Sequence, residues 1–246
     1  MLPDPSDCNI VYFDEIDSTN AYAIREFDSL PDGTIVAAAC QSAGRGRLGN
    51  QWVSEKGKGI YMTLVMKNVT DPFKATTAVS LGVLDALRKA VPDIQAGIKW
   101  PNDIYAGNKK LAGVLAEGKV AGGKFKGIVC GAGINVGYTE KELAYLNRPV
   151  TSVNILSEKN FSSEYLTNLF AFSLLRRYII LITDSPSLEE WRRENFLTGM
   201  DVTLHFAAET LTGKVLGIDN DGGLTVELAS GEIRTVTSAD VRIGKL

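Results

Sequence analysis

Cys40-Gln41-Ser42-Ala43-Gly44-Arg45-Gly46-Arg47-Leu48-Gly49-Asn50-Gln51-Trp52 is the stretch on which the reading of this chain turns. Glycines alternate there with two arginines. Glycine permits φ > 0 and lets backbone N–H groups approach a ligand closely, and successive N–H groups aimed into one concavity form an anion nest. Arg45 and Arg47 add planar forks that fit a carboxylate or a phosphate. Gly44-x-Gly46-x-x-Gly49 satisfies a dinucleotide-binding pattern, and Thr34–Cys40 before it reads as a strand. That pattern also needs a helix directly afterwards. Asn50-Gln51-Trp52-Val53-Ser54, with Gly57 and Gly59 close behind, is poor helix material, so a doubly wound nucleotide fold is rejected. A P-loop fails as well, because Asn50-Gln51 stand where Lys-Ser/Thr are required. Two readings remain on spacing alone: a clamp over a small acid beside a nucleotide, or a plain solvated glycine loop.

Outward from that loop the chain alternates strand and helix signals. Asn9–Phe13 reads as a short strand. A polar turn follows, in which Asp17 or Ser18 can cap a helix over Asn20–Phe27. Gly59–Met66 is an apolar strand, and Phe73–Val91 carries a helical stripe of Ala75, Val79, Val83, Ala86, Leu87 and Ala90. Ile98-Lys99-Trp100-Pro101-Asn102-Asp103-Ile104-Tyr105 is the second dense motif. Pro101 cannot sit inside a central ladder, so the strand is expected to end there, with Asn102 and Asp103 turning at its tip. Lys109–Ala116 and Lys124–Cys130 form a hairpin through Val120–Gly123. Alternation puts Lys109 and Lys110 on opposite faces. Only one can reach a site, and alternation does not choose. Gly131-Ala132-Gly133-Ile134-Asn135-Val136-Gly137 is expected to end the strand with glycines, where a ligand could touch backbone. Ser162–Thr183 is a long amphipathic helix and Ser187–Asn195 a charged one. Val202–Phe206, Leu211–Ile218, Leu224–Leu228 and Ile233–Thr237 then suggest a small all-β barrel. The domain boundary is placed near residue 197, giving units 1–196 and 197–246.

Composition excludes several classes. The chain has 246 residues, 45% hydrophobic and 22% charged, which is enough for a real core. Its net charge of −3 offers no basic field for nucleic acid. Cys8, Cys40 and Cys130 form no C-x-x-C, which points to a reducing, cytoplasmic setting. Pro3, Asp4, Pro5 and Asp7 interrupt any signal peptide. The longest apolar stretch, Phe170–Ile182, is broken by Arg176-Arg177 and is too short for a bilayer. The single histidine, His205, rules out a two-histidine zinc motif. It alternates with Leu204 and Phe206 in a strand-like run and is read as structural.

Four motifs in order carry a resemblance. They are Asp17-Ser18-Thr19-Asn20, then Gln41 through Trp52 with Gly44-Arg45-Gly46-Arg47, then Lys99-Trp100-Pro101-Asn102-Asp103 with Lys110-Leu111-Ala112-Gly113, then Gly131-Ala132-Gly133-Ile134-Asn135. Together they resemble the biotin–protein ligases (biotin–[acetyl-CoA-carboxylase] ligases). Thr212-Gly213, Gly217-Ile218-Asp219 and Asp221-Gly222-Gly223-Leu224 resemble that family's C-terminal domain. The resemblance implies an α+β fold: a mixed sheet with helices packed on it, of the class II synthetase-like biotin/lipoate ligase type, plus a small SH3-like β-barrel. It implies an enzyme that activates biotin with ATP and magnesium to biotinoyl-5′-AMP, then transfers biotin to a lysine of a carboxyl carrier protein.

The resemblance also assigns residues. Ser18, Thr19, Asn20 and Gln41 would hold the ureido ring and its surroundings. Gly44, Arg45, Gly46 and Arg47 would close over biotin and adenylate. Lys110 rather than Lys109 would sit at the carboxylate and α-phosphate, with Gly113, Gly131 and Gly133 lying against biotin. Asn135, Asn102 and Trp52 would serve the adenylate with Arg45, Arg47 and Lys110, Trp52 and Trp100 would be pocket walls, and Asp103 would orient or deprotonate the incoming lysine. Lys110 and Arg47 would stabilise the transition state. No protein cage for a metal is expected. Leu48 and Asn50 depart from the family loop, which often carries more arginine there. About ten residues precede the first strand, fewer than an N-terminal DNA-binding domain needs, so a form without that domain is expected, with no nucleic-acid or membrane partner, as monomer or homodimer. The rivals are a lipoate or octanoate ligase of the same fold and a non-catalytic biotin sensor.

Overall fold

A computed structural model describes residues 8–144, 149–157, 159–183, 187–206 and 209–244. The chain runs β1 (Ile10–Phe13), α1 (Thr19–Arg25), β2 (Ile35–Ala38), β3 (Gly59–Met66), α2 (Pro72–Ala90), β4 (Ala96–Lys99), β5 (Asp103–Ala106), β6 (Lys109–Ala121) and β7 (Lys124–Asn135). The short helices α3 (Glu140–Leu143) and α4 (Val153–Ser157) lead to α5 (Ser163–Thr183) and α6 (Ser187–Glu194). Five strands follow: β8 (Asp201–His205), β9 (Thr210–Ile218), β10 (Leu224–Leu228), β11 (Ile233–Val236) and β12 (Asp240–Ile243).

The first sheet has seven strands in the order β1-β2-β3-β7-β6-β5-β4. Only β1 and β2 pair in parallel; the rest are antiparallel, which makes the sheet mixed. Period-two alternation divides its faces. Ile60, Met62, Leu64 and Met66 of β3 point the same way as Ile128, Cys130, Ala132 and Ile134 of β7. There they meet α2 and α5 in the main core. Each buried Ile, Leu or Met side chain of this set contributes roughly 1.5–3 kcal/mol. On the other face Val36, Val65 and Val129 pack under Ala23 and Phe27 of the α1 region. That cover stops part-way along the sheet, and the cavity begins where it stops.

The helices follow local chemistry. Pro72 opens α2, and Asp71 caps it by accepting from the Phe73 N–H at 2.9 Å. Helix α5 is apolar and long enough to cross a bilayer by length and composition, but 56% of that stretch is buried inside the fold. Its Arg177 reaches Asp85 of α2 and Glu190 of α6, each at 2.6 Å. Burial works to lower that guanidinium's pKa; the hydrogen bonds to both carboxylates outweigh it and hold the pKa raised. A core helix clamped in this way is a packing element.

Three differences from the sequence expectations have physical causes. The Ile98–Tyr105 segment is a hairpin: β4 ends at Lys99, Trp100 to Asn102 turn, and Asp103 already pairs with Lys99 as the first residue of β5. The glycines after Cys130 do not end a strand. Strand β7 runs on to Asn135, because β3 and β6 supply ladder partners on both sides and override glycine's low strand propensity. Strand β12 has no apolar run of its own; only Val241 among its four residues is buried, and pairing with β8 makes it a strand.

The second sheet is antiparallel, in the order β11-β10-β9-β8-β12. It is joined to the first by specific contacts. Trp100, 1% exposed, donates its indole N–H to the Gly222 carbonyl at 2.9 Å. Phe73 stands edge-on to Trp191 at 5.2 Å between centroids, against Gly222. Arg192 donates to Asn220 Oδ1 at 2.8 Å.

Candidate active site

The floor of the site is a trough in the first sheet. The face of β7 that carries Val129 next presents Gly131, then Gly133. Across the ladder, Gly131 pairs with Leu115 and Gly133 with Gly113 of β6. Three positions that would otherwise project side chains are therefore bare. A Cβ at Gly131 would lie 2.2 Å from Asn20 Oδ1, and one at Gly133 would lie 2.5 Å from the Trp52 ring. Only glycine allows helix α1 and the loop to come this close. The cavity above has a volume of about 1480 Å³, larger than the few hundred to about 1,000 Å³ of a typical single-ligand pocket.

One end of the trough is polar. Ser18 caps α1, accepting from the Ala21 N–H at 3.4 Å, while Asp17 turns outward to pair with Arg25 at 2.9 Å. Gln41 Oε1 accepts from the Thr19 N–H at 2.8 Å, and Gln41 Nε2 donates to Ser54 Oγ at 2.9 Å. Asn20 lies beneath, 4% exposed, its Oδ1 accepting from Thr63 Oγ1 at 2.6 Å.

The organising stretch is a lid over this trough. Its two limbs pair through Trp52 N–H to Gly44 O at 3.0 Å and Gly46 N–H to Asn50 O at 2.7 Å. The tip is a single 3₁₀ turn, Arg47–Gly49, in which Leu48 takes φ 55° and is 77% exposed. Gly44, expected to touch ligand, does not line the cavity. A Cβ there would strike the Trp52 carbonyl at 2.3 Å, so its bareness serves the lid's own packing. Gly46, Arg45 and Arg47 do line it. Arg45 pairs with Glu117 at 3.0 Å. Arg47 donates to Asn102 Oδ1 at 2.9 Å and to Ser238 Oγ at 2.7 Å. Burial lowers the Arg47 pKa, and the charges of Asp103 and Asp240 work against that shift. Trp52 spreads across Gly113 and Gly133, and its buried Nε1 has no hydrogen-bond partner among the described residues.

Lys110 reaches the same space. Its Nζ lies 2.6 Å from Asp103 Oδ1, a close ion pair rather than an aligned hydrogen bond, and 5.2 Å from the Trp52 ring centroid. Lys109 faces away toward Glu140 at 3.7 Å. The cause is a bulge: Ile104 pairs with Ala112 and Tyr105 with Lys110, leaving Leu111 as the extra residue. Asn102 Nδ2 is engaged with the Val114 carbonyl at 2.6 Å, and Asn135 Nδ2 with the Thr151 carbonyl at 3.1 Å. Both asparagines line the cavity, as does Trp100.

Sequence reasoning passed over other residues here. Lys99, 8% exposed, lines the cavity with its Nζ 3.3 Å from the Tyr105 hydroxyl; burial lowers its pKa, against the pull of Asp103 and Asp240. Asp240 and Arg242 bring the second sheet into the wall. Their signal in the sequence is faint: Lys99 lies in the Lys99–Asp103 motif with no local partner, and Asp240–Ile243 has no apolar run to mark it as a strand.

Comparison with known proteins fits this geometry. Residues 12–135 match the model of the biotin/lipoate A/B protein ligase family, and residues 199–244 match that of the biotin protein ligase C-terminal domain. The bifunctional ligase/repressor BirA of Bacillus spizizenii is 30% identical over 242 residues, which are 96% of this chain and 74% of that protein. The biotin–[acetyl-CoA-carboxylase] ligase of Paracoccus denitrificans is 28% identical over 93% of this chain and 98% of its own. The fold is shared with the biotin protein ligase of Aquifex aeolicus, solved with biotin and ATP, at a TM-score of 0.80 and 24% identity, covering 96% of this chain and 99% of that one. The glycine-floored trough and its arginine lid thus sit in a sheet whose sequence and shape both point one way, and the chain belongs to the biotin/lipoate A/B protein ligase family.

Proposed function

We propose that this protein is an ATP-dependent biotin–protein ligase. In the first step a biotin carboxylate oxygen attacks the α-phosphate of ATP; the bond to pyrophosphate breaks and biotinoyl-5′-AMP forms. In the second, the ε-amine of a carrier-protein lysine attacks the acyl carbon, an amide forms and AMP leaves. The observation that carries this reading is the joining of a bare glycine floor to a cationic roof, with Arg47 above and Lys110 beside it. Two unit negative charges about 4 Å apart repel by roughly 4 kcal/mol at an effective dielectric of 20. Carboxylate and phosphate meet only where fixed cations offset that cost.

Position supports the following roles. Ser18, Thr19, Asn20 and Gln41 form the polar end suited to a ureido ring, with Gly113, Gly131 and Gly133 under the bicycle and Trp52 across it. Lys110 and Arg47 act on the developing charge, Arg45 and Gly46 belong to the lid, and Asn102 and Asn135 serve the nucleotide. Asp103, held by Lys110, is placed to receive a proton from the incoming amine. Magnesium would be held chiefly by the nucleotide's own phosphates, supplying charge neutralisation there; Asp103, Asp201 and Asp240 are carboxylates of the wall that could meet it through water. The division of labour is a catalytic unit over residues 1–196 and an SH3-like unit over 197–246. The enzyme works in the cytoplasm as monomer or homodimer on a carboxyl carrier domain, with no membrane or nucleic-acid partner.

Incubation with ATP, magnesium, labelled biotin and a carboxyl carrier domain tests this. Label is expected on the carrier, on a single lysine, only when ATP is present. Equal labelling with lipoate, or lipoate labelling alone, would replace this reading with that of a lipoate ligase. Biotin binding without biotin-dependent ATP–pyrophosphate exchange would make the protein a sensor.

A further inference from the structure

Beyond Gly113 and Leu115, the cavity face of β6 carries Glu117. One of its oxygens, Oε2, accepts from Asn20 Nδ2 at 2.7 Å and from Arg45 Nη2 at 3.0 Å. Asn20 Oδ1 accepts from Thr63 Oγ1 at 2.6 Å, and Thr63 Oγ1 lies 2.8 Å from Thr19 Oγ1. Each hydroxyl has one proton. With the Thr63 proton given to Asn20, the one Thr19 proton is shared between Thr63 and Gln41 Oε1, which lies 3.1 Å from Thr19 Oγ1. Thr19 N–H then donates to Gln41 Oε1 at 2.8 Å, Gln41 Nε2 to Ser54 Oγ at 2.9 Å, and Ser54 Oγ to the Trp52 carbonyl at 3.1 Å. The network leaves the lid at Arg45, crosses the floor of the trough, and returns to the lid at Trp52. Thr63 is 0% exposed and Thr19 3%, so the chain of bonds runs through a low-dielectric interior where such networks are stiff.

We propose that Glu117 is a positioning residue of this ligase. Its carboxylate locks the Asn20 amide in one orientation and tethers Arg45 across the trough, so that floor and lid are set together. The inference rests on the ligase reading above. It assigns Arg45 a different task from Arg47 and Lys110. Arg45 is tied across the trough to a β6 carboxylate that also holds the floor and acts as the clasp that keeps the lid down, while Arg47, with neutral partners, and Lys110, beside the reacting space, carry the anionic chemistry. An amide in place of Glu117 keeps an oxygen for Asn20 but loses the ionic clasp, which separates the two halves of its task.

The test measures biotin-dependent ATP–pyrophosphate exchange and the half-life of the enzyme-bound adenylate after rapid gel filtration, for wild type, Glu117→Ala and Glu117→Gln, with a thermal unfolding midpoint for each. For Glu117→Ala, KM for biotin is expected to rise about tenfold and adenylate half-life to fall about tenfold, the size of one charged hydrogen bond, with kcat of exchange within roughly threefold of wild type. Glu117→Gln is expected to restore KM but not the half-life. If Glu117→Ala does not fold, the half-life with Glu117→Gln decides. A wild-type half-life in Glu117→Gln, or losses in kcat and KM that simply track a lowered midpoint in both variants, would overturn the proposal while leaving the ligase intact. Absence of exchange in the wild-type protein would instead bring down the ligase reading and this inference with it.

Discussion

Lys110 shows how much one residue's role depends on a single backbone irregularity. Counting back by twos from Gly113 along an unbroken strand arrives at Leu111 and then Lys109, so an unbroken ladder would put Lys110, the lysine that the resemblance assigns, on the opposite face. The bulge at Leu111 inserts one residue and brings Lys110 onto the cavity face instead. Sequence patterning could establish that one lysine of the pair enters the site, but the choice needed a register that only pairing with β5 supplies. Lys110→Ala is expected to lower the rate of biotin-dependent pyrophosphate exchange by at least about a hundredfold, since it removes a cation placed where charge develops. Lys109→Ala is expected to change it less than about twofold. Comparable loss in both would mean that the bulge does not sort them. Lys99 is a second case. Its folded pKa lies below the ordinary value because of burial, so its charged form is disfavoured in the fold. The folded state therefore binds fewer protons than the unfolded chain between the lowered pKa and the usual lysine value, and stability rises with pH through that window. Lys99→Met is expected to flatten that rise, to raise the neutral-pH midpoint by roughly 2–4 °C, and to weaken exchange. Calorimetry across pH 7–11 checks the first two. An unchanged pH profile would mean that Lys99 bears no such cost.

At the scale of elements, the glycine strand and the lid explain each other. The sequence made both visible as glycine-rich stretches, but it could not say that Gly131 and Gly133 lie in the middle of a ladder rather than at its end. That depends on β3 and β6 flanking them from distant parts of the chain. The long helices were legible because their caps and apolar stripes are local: Asp71-Pro72 opens α2 in sequence as in space. Strand β12 was not, because its only apolar anchor is Val241. The two glycines differ in what would yield to a methyl group. At Gly131 the obstacle is Asn20, buried and hydrogen-bonded on both sides, so Gly131→Ala has to displace α1 or break the polar network. Overpacking of this kind costs about 1–3 kcal/mol, and a lowered thermal midpoint is expected. At Gly133 the obstacle is the Trp52 ring, which belongs to the lid. Gly133→Ala is expected to leave the midpoint near wild type while raising KM for biotin roughly tenfold, by the same free energy spent on lifting the lid. Reversal of the two patterns would show that the lid is the stiffer partner.

For the molecule as a whole, the sequence suggested two units, but nothing local in it says that the second completes the cavity of the first. That follows from three long-range contacts. Trp100 at the β4–β5 turn donates to Gly222, Arg47 of the lid donates to Ser238, and Asp240 with Arg242 faces the space between the sheets. The Trp100–Gly222 bond is the more buried of the two hydrogen bonds, and it leads from the turn that carries Asn102, just before Asp103 of β5, to the β9–β10 turn. If the second sheet is fastened chiefly there, the two sheets should melt as one while that bond exists. Trp100→Phe keeps an aromatic ring but leaves the Gly222 carbonyl without its donor. An unsatisfied buried acceptor costs about 1–3 kcal/mol, and the smaller ring adds a cavity term. Calorimetry is expected to show a single transition for the wild type, and for Trp100→Phe a transition at lower temperature with a separate shoulder as the second sheet loosens first. Because that sheet supplies part of the wall, KM for ATP should rise in the same variant more than KM for biotin, whose polar end lies at α1 on the far side of the trough. A lowered midpoint with both KM values unchanged would confine the second sheet to a stabilising role and remove it from the site.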